Sequence, residues 1–184
     1  MSRDPTSVSR AALGLFAVLC AATVAACGGG DDSSAPPGDS SGVVFASSFQ
    51  GFRSWTSYHF DQPTAQGVVH AAGPRTEYIK ALPPKGSTSF PVGTLIVKTL
   101  ETGDRQIFAM VKRGAGYNAG GAIGWEWFEL KEADDGTVAI IWRGVGPPSG
   151  EKYGGDPSGG CNGCHAAARA NDFVQSPKIV LGSL

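Results

Sequence analysis

The feature that most constrains this chain is the stretch "CNGCH", which puts Cys161, Cys164 and His165 within five consecutive positions. Two thiols and an imidazole that close together can hold a haem, hold a zinc ion, or close a small disulfide loop. C-x-x-C-H is the attachment pattern of c-type haem. On a helical turn, cysteines at this spacing reach two vinyl groups, and the histidine that follows becomes the axial ligand of the iron. Zinc needs further ligands, but His59 and His70 are the only other histidines and there is no second C-x-x-C. A disulfide leaves His165 without a part. The motif predicts one haem c, held covalently through Cys161 and Cys164 with His165 on the iron.

The residues after His165, "AAARANDFVQSPKIVLGSL", contain no Met and no His. A small helical electron-transfer cytochrome carries its motif near the start and draws a second ligand from well downstream, so that fold does not fit. Met110, His59 and His70 are the Met or His candidates for a sixth ligand once Met1 is set aside with the leader. The expectation is an iron with an open coordination position, which binds small molecules. A plain electron-transfer cytochrome is a weaker alternative.

The sequence before the motif reads as strands. "GVVHAAG" around Val68, "RTEYIKAL", "PVGTLIVKTL", "RQIFAMVKR", "GWEWFEL" and "TVAIIWRG" are short runs with β-branched or alternating character. "EADDG" between the last two predicts a hairpin turn. The connections are short and carry no long helical pattern, which predicts an antiparallel sheet. Earlier, Phe45, Phe49, Phe52 and Trp55 fall near helical spacing and predict a short helix or turn, with core packing as the simplest use of its aromatic stripe. The fold class is thus mainly β (α+β): an antiparallel sheet domain with a short N-terminal helix and a haem-carrying CxxCH turn. The Gly-rich "GAGYNAGGAIG" from Gly114 is not a phosphate loop, since no Lys-Ser/Thr follows.

The first residues read as targeting. "AALGLFAVLCAATV" is too short to span a bilayer and suits a signal-peptide core. "VAACGGG" resembles a bacterial lipobox, which implies cleavage before Cys27 and lipidation of Cys27. Residues 1–26 are then the signal, 27–42 a polar tether low in apolar content, and 43–184 the folded domain. Gly28 after the cysteine resembles outer-membrane sorting, so the expected place is the outer membrane or, failing an anchor, the periplasm. Contact with membrane is expected through the lipid alone. A net charge of -1 argues against nucleic acid as a partner.

Alternation singles out one lysine. From Thr94 to Leu100, Leu95, Val97 and Thr99 fall on one face and Ile96, Lys98 and Leu100 on the other. Lys98 shares its face with two large aliphatics, so it either snorkels, faces a cavity, or guards a sheet edge.

Four pieces in order, "RTEYIKALP", "FPVGTLIVKTL", "GWEWFEL" and "CNGCH" with "NDFV", resemble the cytochrome P-460 family from about Trp55 to Val174. The resemblance implies a mainly antiparallel β domain with a five-coordinate c-haem, commonly a homodimer, related to cytochromes c′-beta. It also implies a haem cross-link at Lys98, a distal-pocket arginine at Arg75, and Phe108 over the iron where hydroxylamine-oxidising members have a carboxylate. Val92 departs from the Asp or Asn that the family often has before Gly93. The function implied is binding and oxidation of hydroxylamine or a related small nitrogen compound, with a periplasmic electron acceptor. Phe108 instead favours non-catalytic binding of nitric oxide or another diatomic gas.

Overall fold

The computed structural model describes residues 42–61, 73–101, 105–114, 116–149 and 160–184. The expected signal, most of the tether, Cys27, His70 and most of the expected strand around Val68 lie outside the described residues. Six strands form one antiparallel sheet whose spatial order follows chain order. They are β1 (Thr56–Phe60), β2 (Arg75–Ile79), β3 (Leu95–Leu100), β4 (Ile107–Lys112), β5 (Trp125–Glu132) and β6 (Val138–Gly144). The β5–β6 hairpin closes with Ala133 N–H donating to Thr137 C=O at 2.9 Å, and Gly136 takes the left-handed φ of 82° that the turn requires. Among the described residues no helix is long and apolar enough to cross a membrane.

None of the expected strands covers β1. Its burial alternates only weakly because it is an edge strand, so no apolar period of two marks it. The aromatic stretch itself forms two short 3₁₀ turns, Ala46–Phe49 and Phe52–Ser54.

Each face of the sheet has its own cover. On one, Val44, Phe49 and Phe52 pack against Tyr78, Val97, Ala109, Val111 and Phe128. Phe49 meets Phe128 at 5.3 Å and Phe52 meets Tyr78 edge-on at 5.2 Å. Truncating either buried phenylalanine to Ala costs about 3–5 kcal/mol. Gln50 closes the β6 edge here: its amide donates to Val138 C=O at 2.9 Å and accepts from Val138 N–H at 3.0 Å. On the opposite face, Phe173, Val174 and Ile179 from the segment after β6 pack on Ile79, Ile96, Leu100, Met110, Trp125, Trp127 and Trp142. That segment carries α1 (Cys161–His165), a single helical turn, and then a 3₁₀ stretch, Ala166–Asn171.

Candidate functional site

The turn of α1 sets Cys161 and Cys164 on adjacent levels of one helical face, with His165 next. The two thiols are not bonded to each other, and both are half-buried. Cys164 Sγ donates to Gln175 Oε1 at 3.3 Å. His165 Nδ1 lies 2.6 Å from Phe173 C=O. A carbonyl can only accept, so Nδ1 carries the proton and Nε2 keeps its lone pair for a metal. The imidazole also lies against the Trp127 ring, 4.5 Å between centroids.

Asn162, between the two cysteines, ties α1 to the sheet. Its Oδ1 accepts from Asn118 Nδ2 at 2.7 Å, Trp127 Nε1 at 2.9 Å and Ala122 N–H at 3.1 Å. Its Nδ2 donates to Asn118 Oδ1 at 3.1 Å and Val145 C=O at 2.9 Å. The fit requires glycine at 121, where a Cβ would sit 2.3 Å from the Asn162 amide. The Gly-rich loop after β4 is therefore a docking surface for the cysteine turn.

Below this turn, register places one row of side chains across the sheet: Tyr58, Glu77, Lys98, Phe108, Glu129 and Trp142. The row follows from strand pairing, since directly paired residues share a face. Lys98 and Phe108 are direct partners, with Lys98 Nζ 6.0 Å from the ring centroid. Arg75 is on the same face, two residues from Glu77. It donates through Nε to Glu77 Oε1 at 2.9 Å and stacks over Phe60 at 4.4 Å. Glu77 Oε2 is buried and without a hydrogen-bond partner among the described residues. Glu129 Oε2 accepts from Trp142 Nε1 at 2.8 Å.

The structure thus brings Lys98, Phe108 and Arg75 onto the face that carries Cys161, Cys164 and His165. Lys98 is electrostatically coupled to both cysteines and to His165. Met110 also lies on this face, in the next row between Ile96 and Trp127. His59 projects to the other face, where it meets Thr76 Oγ1 at 3.1 Å. Sequence reasoning missed Glu77, Glu129, Trp127 and Asn162. Alternation from Arg75 could have found Glu77; nothing local marks Asn162. Two carboxylates, Glu77 and Glu129, share the row of Phe108.

Burial governs the ionisable groups. Desolvation brings Lys98 down to about 8, opposed by the nearby Glu77 carboxylate and helped by Arg75. Desolvation lowers His165 to about 4 against the pull of its bond to Phe173, with Lys98 adding to the lowering. Cys161 is pushed up to about 11, chiefly by desolvation, with Lys98 opposing. Yet Lys98, Cys161, Cys164 and His165 all keep partial surface exposure.

The site suits a c-type haem on its own chemistry. It offers two thiols at the right spacing that are not disulfide-bonded to each other, and an imidazole whose Nε2 keeps its lone pair. It adds a flat aromatic neighbour and an amine that is substantially uncharged near pH 8. No family model, no curated protein and no solved structure matches the chain.

Proposed function

We propose that this chain is an exported c-type haem protein that binds and oxidises hydroxylamine or a related small nitrogen compound. The observation that carries the reading is the Cys161–His165 turn, with His165 bonded to Phe173 C=O, on the sheet face whose row contains Lys98. Cys161 and Cys164 would hold the haem, which would supply one-electron chemistry. The remaining work falls to the chain. His165, with Nδ1 bonded to Phe173 C=O, would present Nε2 to the iron of a bound haem. Lys98, as a free amine, is the candidate for a covalent bond to the macrocycle edge. Phe108 and Trp127 exclude water, and Glu77, Arg75 and Glu129 supply fixed charge and proton-accepting oxygens near the row. Lipidation at Cys27, an outer-membrane or periplasmic location, a homodimer and a periplasmic electron acceptor belong to the same proposal.

A second reading is gas binding. Its support is the Phe108 ring, 9% exposed, directly beside Lys98. The carboxylates in the same row favour the catalytic reading over it.

The test uses protein matured with periplasmic haem ligation. Intact mass and the pyridine haemochrome assay should find one covalent haem, lost in Cys161→Ala/Cys164→Ala. Turnover of hydroxylamine with a strongly red-shifted ferrous Soret band supports the enzyme. Tight nitric oxide binding without turnover supports the gas binder, and colourless protein ends both readings.

A further inference from the structure

Two consecutive residues after the 3₁₀ stretch, Asp172 and Phe173, adopt left-handed backbone with φ of 49° and 65°. Neither is glycine, so each carries a strain that neighbours must hold in place. The holding bonds are specific. Lys112 Nζ donates to Asp172 Oδ1 at 2.7 Å, and both side chains are almost buried. Phe90 N–H donates to Asp172 Oδ2 at 2.9 Å. Trp125 Nε1 donates to the Asp172 carbonyl at 2.7 Å. Lys112 and Trp125 are direct partners across β4 and β5, and Lys112 Nζ also donates to Ile123 C=O at 3.3 Å. Phe173 N–H donates back to Ala168 C=O at 2.9 Å. Three separate elements therefore converge on Asp172, and the peptide they fix ends in the Phe173 carbonyl that accepts from His165.

Such an arrangement exceeds what docking a tail requires. Apolar contacts of Phe173, Val174 and Ile179 already do that. We propose that the Lys112–Asp172 ion pair is the positioning device for His165: by holding the left-handed Asp172–Phe173 turn it aims the Phe173 carbonyl at Nδ1 and so sets how strongly Nε2 donates to a bound iron. A short Nδ1–H···O bond makes the imidazole a stronger donor, which favours the ferric state. The inference rests on the haem reading above.

The experiment compares haem-loaded wild type with Asp172→Asn and Lys112→Met. Relaxing the turn lengthens the His165 bond, weakens the donor and favours ferrous iron. The expected shift in the reduction equilibrium is about tenfold, which for a one-electron couple is about 59 mV upward in midpoint potential. The ferrous iron–histidine stretch in resonance Raman spectra should fall in step. Glu126→Gln, on the other face, is the control for general loosening and should leave the stretch in place. Lys112→Met keeps the Phe90 and Trp125 bonds to Asp172, so it reports even if Asp172→Asn does not fold. Folded, haem-loaded variants with unchanged potential and stretch overturn the inference. Wild type that retains no haem overturns the haem reading instead.

Discussion

Lys98 is the residue whose environment is most at odds with its charge. Its ordinary value of 10.5 falls to about 8, mainly through desolvation, while Glu77 opposes the fall. In the folded protein Lys98 should therefore react with an amine-acylating reagent with a midpoint near pH 8, read by peptide mass. Removing the opposing carboxylate with Glu77→Gln should move that midpoint lower; a midpoint near 10 in wild type would count against the assignment. The linkage sign follows. Because the folded value lies below the unfolded one, the unfolded chain holds more protons between them, so stability rises as pH climbs from about 8 toward 10.5. Lys98→Met should abolish that rise and stabilise the domain at neutral pH by about 1–3 kcal/mol in urea melts. Strand alternation singled out Lys98, because the two faces of a strand are written locally, but left open whether it snorkels, faces a cavity or guards an edge. Glu77 was not read, because the importance of a carboxylate two residues from an arginine depends on what pairs across from it.

Among elements, α1 is tied to the sheet and its Gly-rich loop through one of its own residues, Asn162. Asn162→Leu would leave Asn118, Ala122 and Trp127 donors without their acceptor, at roughly 1–3 kcal/mol for each that water cannot reach. The expected loss is about 2–3 kcal/mol in denaturant melts, with amide exchange accelerated in the cysteine turn and unchanged in β3 and β4. Gly121→Ala should reproduce this by driving a methyl into the Asn162 amide, and the two changes should be far from additive. A Gly121→Ala protein as stable as wild type would dismiss the docking role. β2 to β6 were legible because their apolar runs and turn residues are local signals, and the antiparallel arrangement followed from short connections. β1 was not, because an edge strand half open to water lacks the alternation that identifies one. The docking of α1 was out of reach because the Gly-rich loop and Asn162 are distant in sequence.

For the molecule as a whole, the face opposite the site is held by a buried ionic cluster. Glu126 pairs with Arg113 and, at 2.7 Å, with Arg143, which also donates to Val44 C=O at 2.7 Å. Burial pushes the Glu126 carboxyl up, but hydrogen bonds from Arg143 and Arg113 outweigh it and hold the group below its ordinary value of 4.5. A lowered folded value means stability present above the unfolded value and lost as pH falls through it, so acid unfolding should begin near pH 4.5 and deepen below. Glu126→Gln should cost about 3 kcal/mol at pH 7, near the lower end for breaking a buried pair because Arg143 is partly solvated. It should also flatten the acid limb, and an unchanged limb would assign acid sensitivity elsewhere.

The strictly sequential sheet bears on biogenesis. Each strand pairs with its neighbour in the chain, so the scaffold zips up hairpin by hairpin without waiting for distant partners, and such local topologies form quickly. No strand waits on the cysteine turn to find its place. A nascent chain can thus erect its platform before the cysteine turn docks, and the tryptophan-lined side stays uncovered until the tail folds onto it.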